Sequence, residues 1–137
     1  MQIRPYLPKD EEELLAFWTE IFPASSHHND PKTSLDKKLR TDPDLLLVAV
    51  KEGKVIGSVM GGYDEHRGWI YSLAVHPSLR RQGIASALMH EIEEKLIKRG
   101  CLKVNLQVLA SNAAVVALYK ELGYNVEERI SMGKKLY

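Results

Sequence analysis

With one cysteine among 137 residues, Cys101, the chain cannot form an internal disulfide, so its stability has to come from a hydrophobic core. No apolar run approaches the roughly 20 residues that a bilayer-spanning helix needs. No charged segment followed by an apolar stretch opens the chain, so cytoplasmic residence is the expectation. An excess of either charge is missing too, since 19 basic and 18 acidic side chains leave a formal net charge of +1. That balance provides no electrostatic footprint for nucleic acid or an anionic membrane, and neither is expected as a partner. His27, His28 and His66, with one cysteine to help them, lack a recognised zinc-ligand spacing, so no metal is expected.

What is present is the balance of an ordinary globular protein, 45% hydrophobic and 27% charged residues. The length suits one domain, taken as residues 1–137. Gln2 to Tyr6 alternates as a short strand. Asp10 and Glu13 have capping-box spacing before a helix that carries Leu14, Phe17, Trp18 and Ile21 on one face. A short helix through Leu35 and Leu39 stops before Pro43. Leu45 to Val50 and Val55 to Tyr63 form a hairpin, and Trp69 to Val75 is a third strand of that group.

From Gly83 the period changes, with Ile84, Leu88, Ile92 and Leu96 on one helical face and Gly100 as the stop. Val104, Leu106 and Val108 alternate as a strand, and Asn112 to Leu122 reads as a helix ended by Gly123. Two final strands, Tyr124 to Ile130 and Met132 to Tyr137, leave room for pairing between subunits in a homodimer. The order is that of a mixed α/β domain with about four helices around a central, largely antiparallel sheet.

The segment richest in chemistry is Arg80-Arg81-Gln82-Gly83-Ile84-Ala85, between a strand and a helix. Such a turn aims unpaired backbone N–H groups and the positive end of a helix dipole at one point, which suits a phosphate. Gly83 has no Cβ to hold a ligand away, and Ala85 is small. Alone, the same glycine could merely relax a tight turn.

Ser72-Leu73-Ala74-Val75-His76-Pro77 with Arg80 to Ala85 resembles the central motif of the GNAT family of N-acetyltransferases. That family's pattern, Q/R-x-x-G-x-G/A after an apolar strand, is met at Arg80, Gly83 and Ala85. A second match follows in Leu106-Gln107-Val108, Ser111-Asn112 and Ala117-Leu118-Tyr119-Lys120-Glu121-Leu122-Gly123-Tyr124. The resemblance is sharpest from Trp69 to Tyr124.

It implies a sheet splayed between its fourth and fifth strands, with acetyl-CoA as cosubstrate in the cleft. The pyrophosphate would lie on Arg80, Arg81, Gln82, Gly83, Ile84, Ala85 and Ser86. Leu73, Ala74 and Val75 would meet the pantetheine arm and polarise the thioester carbonyl. Asn112 would cap its helix, contact the cofactor, or do both. Tyr119 would be the general acid for the departing thiolate, two helical turns along from Asn112 on the same face.

The general base stays open. Many relatives carry an acid just before the Leu-Ala-Val segment, where this chain has Tyr71 and Ser72. Glu20, Asp64, Glu65, His66, His27, His28 and a water relay are the alternatives. Without that acid, an acceptor amine of low pKa is favoured over a lysine side chain. A non-catalytic acyl-CoA-binding sensor is the competing reading. A covalent route through Cys101 is the weaker rival, because no local His or acid points to that thiol.

Overall fold

The computed structural model describes residues 1–22 and 30–137, which group into two compact units, Met1–Gln107 and Val108–Tyr137. In the first unit β1 (Gln2–Pro5) and the α1 helix (Glu11–Ile21) are joined by a 3-10 turn over Pro8–Asp10. The expected capping box is not made. The Asp10 side chain instead accepts two bonds from the Arg4 guanidinium, at 2.7 and 2.9 Å, and one from Leu7 N–H at 2.8 Å. Glu13 accepts from Val55 N–H at 3.0 Å, tying α1 to the sheet. Both acids had nearby donors stronger than a helix terminus, so tertiary partners displaced the local motif.

The second helix, α2 (Pro31–Thr41), begins as its residues dictate. Asp30 caps it by accepting from Thr33 N–H at 3.1 Å, and Pro31 occupies the first turn, where its missing N–H costs nothing. Lys32 bridges Glu11 of α1 and Asp36 of its own helix. Strands β2 (Leu46–Lys51), β3 (Lys54–Tyr63), β4 (Gly68–Val75) and β5 (Val104–Leu106) complete a sheet in the order β1-β2-β3-β4-β5. The first three pairings are antiparallel and β4–β5 is parallel.

One face of the sheet packs against α1 and α2 through Leu14, Phe17, Trp18, Leu35, Leu46, Val48 and Met60. Within it the buried Trp18 indole N–H donates to Ser58 Oγ at 2.8 Å, which satisfies two polar groups far from water. The helix α3 (Ile84–Lys98) packs against the sheet with Ile84, Leu88, Met89, Ile92 and Leu96 buried along the stripe that the sequence spacing predicts. Arg99, just past its end, binds Asp42 at 2.6 Å and Asp44 at 2.7 Å, tying α3 to the α2–β2 connection.

β5 is shorter than expected, ending at Leu106 rather than Val108. It pairs with β4 only at Gly68, Trp69 and Ile70, so Tyr71 to Val75 continue without a β5 partner. The two strands therefore part, as the family resemblance implies.

In the second unit a 3-10 turn over Ala110–Asn112 precedes α4 (Ala114–Glu121). Gly123, at φ +95°, ends that helix with its N–H on Lys120 O. The two expected final strands are not formed among the described residues. Val126, Ile130, Met132 and Leu136 stand exposed, and no ladder is assigned from Tyr124 onward. Alternation supplies the face of a strand, but a strand also needs a partner for its backbone, which alternation does not provide. No helix among the described residues is long and apolar enough to cross a membrane.

Candidate active site

The middle of β4 departs from regular pairing. Its register with β3 runs Gly57–Val75 and Ser58–Ala74, then resumes at Met60–Tyr71, so one more residue is spent on β4 than on β3. Ser72 absorbs the bulge with φ +52°, a left-handed conformation that is uncommon for a residue with a Cβ. The bulge takes Leu73 out of the β3 register just where β5 has already parted. Ala74 and Val75 stay buried and anchored to β3, and Leu73 is partly exposed.

The chain then leaves β4 through His76, whose N–H donates to Ile56 O at 2.8 Å. Its Nδ1 accepts from Ser78 N–H at 3.3 Å and lies 2.8 Å from Ser78 Oγ, which fixes the entry to a 3-10 turn over Pro77–Leu79. Arg81 at φ +65° and Gly83 at φ +79° bend the backbone into α3. Turns bent through left-handed residues can line up successive backbone N–H groups around an anion.

No side chain caps α3, and its first helical bond runs from Ala87 N–H to Gly83 O. The N–H groups of Ile84, Ala85 and Ser86 therefore have no intrahelical acceptor. A Cβ on Gly83 would meet nothing within 4 Å. Glycine is required there for its positive φ rather than for lack of room, and the space beside it is open. Arg80, Arg81 and Gln82 are exposed around it. The residues expected to cradle a pyrophosphate are thus brought together, with donors unspent and cationic side chains at the rim.

In the second unit, Asn112 closes the 3-10 turn and is exposed. It makes no capping bond to α4, whose N-cap is Ala113. The expected cap is absent, and since Asn112 lies outside α4 the two residues do not share a face of that helix. Tyr119 is on α4, half-buried, with its ring edge-on to Tyr124 at 5.8 Å. Burial pushes its phenol above the ordinary 10, so it holds its proton at neutral pH.

The candidate bases fare unequally. The Asp64 carboxylate accepts from His66 and Arg67 N–H at 2.8 and 2.7 Å, an Asx turn whose bonds hold it below the usual carboxylate range. Glu65 and His66 are exposed in the same turn. Glu20 extends from the end of α1 to within 4.0 Å of His76 Nε2. His27 and His28 lie outside the described residues. Cys101 is buried and its thiol donates to Lys103 O, the placement of a packing cysteine.

Two groups carried no clear signal in the sequence. His76 came into view only as part of a motif, and its link to Glu20 is tertiary. Lys38 reads as solvated, yet only 8% of it is exposed and its ammonium lies 6.0 Å from the centre of the Tyr71 ring. Its three-residue spacing from Leu35 was the available hint.

The family model that matches residues 11–124 is that of the acetyltransferase (GNAT) family. The chain belongs to that family. It is 45% identical over 136 residues to an acetyltransferase of Yersinia enterocolitica, covering 99% of this chain and 96% of the relative. Among solved structures it is similar to Ard1 from Thermoplasma volcanium, with a TM-score of 0.79 and 27% identity over 92% of this chain and 83% of that one. It also resembles AAC(6')-Iy in complex with the bisubstrate analog CoA-S-monomethyl-acetylneamine. There the TM-score is 0.78 at 20% identity, over 98% and 97% of the two chains. The GNAT match and the fold agree on an acyltransferase.

Proposed function

We propose that this GNAT protein transfers an acetyl group from acetyl-CoA to a primary amine by direct attack in a ternary complex. The observation that carries the proposal is the turn from Arg80 to Ser86. Its free N–H donors, two left-handed residues and open space at Gly83 support the reading of a pyrophosphate cradle. The unpaired β4 edge from Leu73 to Val75 fits an extended pantetheine arm, as a strand edge accepts any chain carrying amides. A main-chain N–H at that edge would polarise the thioester carbonyl, a preorganised dipole of the kind that usually contributes most to such catalysis.

Tyr119 is assigned as the acid that donates its phenolic proton to the departing thiolate, since a phenol carries its proton at neutral pH. Cys101, buried and hydrogen-bonded, is assigned no covalent role. The AAC(6')-Iy complex supports pairing of a CoA moiety with an amine acceptor on this fold.

A mass-spectrometric screen of amino acids, peptides, polyamines and aminoglycosides with acetyl-CoA tests the reading. The expected result is at least one N-acetylated product. Tight acetyl-CoA binding with no transfer to any acceptor would instead establish a sensor.

A further inference from the structure

Lys38 is a buried charge that neither the cofactor turn nor Tyr119 uses. It shares the buried face of α2 with Leu35, and its ammonium stands over the Tyr71 ring, 6.0 Å from the centroid. No carboxylate among the described residues lies within ion-pairing distance of it. Asp42 and Asp44, the acids that influence it electrostatically, are both held by Arg99. The sequence from Pro23 to Asn29 contains no acid that could serve instead. A buried cation without a counter-ion is costly, and an aromatic face offsets only part of that cost.

Tyr71 ties this cation to the site of transfer. It is the last β4 residue before the bulge at Ser72, and it remains 46% exposed. Its ring lies close beside Gly62 of β3, where a Cβ would come within 3.0 Å of the phenol oxygen. A buried cation and a half-exposed ring therefore meet at the point where β4 leaves regular pairing.

We infer that Lys38, with Tyr71, is the anchor for a carboxylate on the acceptor, which makes the acceptor an amine of the amino-acid class. The identification of this ligand as an acceptor rests on the proposed acetyl transfer, whereas the anion site does not. Burial pushes the Lys38 amine below its ordinary range, with Asp42 opposing, as fits a cation whose counter-ion arrives with the ligand. An α-amine also suits a site whose β4 strand lacks the acid that a lysine acceptor would need.

N-acetylglycine and N-acetylglycinamide mimic the product and differ only in the carboxylate. Each is titrated into CoA-loaded protein carrying 13C-labelled lysine, with the Lys38 signal assigned by its loss in Lys38→Met. N-acetylglycine should move that signal and bind about tenfold more tightly than the amide, the contrast a charge-assisted hydrogen bond gives. Lys38→Met and Lys38→Gln should abolish the preference, and Lys38→Arg should keep it. The inference is overturned if the two probes bind alike, if neither binds, or if both charge-removing variants keep the preference. Acetyl transfer to glycine is followed in parallel. Carboxylate-selective binding with no transfer to glycine or to any acceptor of the screen would discard the acetyl-transfer reading and leave the anchor standing.

Discussion

At the scale of single residues, environment decides what each group can do. Tyr119 is half-buried beside Tyr124, and burial raises its pKa further above a value that already leaves the phenol protonated in the physiological range. Tyr119→Phe keeps the ring and removes the proton, so kcat should fall about 10²-fold with acetyl-CoA affinity unchanged. Single-turnover kinetics check this, and an unchanged chemical step would remove Tyr119 from the role. Lys38 has the opposite problem, a charge held out of water. Its folded-state pKa is lowered, so between that value and the ordinary 10.5 the unfolded chain binds more protons than the folded one. Stability contributed by this site therefore rises with pH through that window. Lys38→Met should be about 1 kcal/mol more stable than wild type near pH 7. The gap should close as the pH approaches 10.5, as urea titrations at several pH values would show. Asp42, Arg99, Asp44 and Tyr71 face this amine, and in Lys38→Met their interactions with its charge are lost along with its desolvation cost.

At the scale of elements, the strand-turn-helix from β4 to α3 was unevenly legible in the sequence. Gly83, Ala85 and the stripe from Ile84 to Leu96 fixed the turn and its helix, because both are local devices. The bulge could not be read there, since it exists only as a mismatch of register between β3 and β4. Asp10 and Glu13 were misread for a related reason. Capping-box spacing is local, whereas Arg4 and Val55 N–H, the donors that took the two carboxylates, arrive from other strands. The tail beyond Tyr124 alternates like a strand but lacks a ladder, and no pattern within one segment can announce its partner. Gly83→Ala tests the turn directly. A Cβ there would be strained at φ +79° by about 1 kcal/mol without clashing with any protein atom. The strain itself should lower the melting temperature by a few degrees, and acetyl-CoA affinity should in addition weaken about tenfold by calorimetry.

At the scale of the whole molecule, the near balance of charges gives no net field to steer a partner, so selectivity has to be local. Stability against acid is local too. Asp10 is held below its ordinary carboxylate pKa chiefly by its hydrogen bonds with Arg4, against the opposing effect of burial. Stability from this pair is complete above the unfolded pKa near 3.8 and is lost as the pH falls through the lower folded value. Asp10→Asn should cost about 2 kcal/mol at pH 7 and progressively less in acid. Chemical denaturation at pH 7 and pH 3 measures both.

Ser72 makes the fold an unfinished optimisation from an engineer's standpoint. A left-handed backbone at a serine holds about 1 kcal/mol of strain that a glycine would release. Ser72→Gly should therefore raise the melting temperature by a few degrees if unfolded-state entropy does not absorb the gain. The same substitution loosens the one strand position that sets where β4 turns from its neighbour, so the thermostable variant should be the slower enzyme.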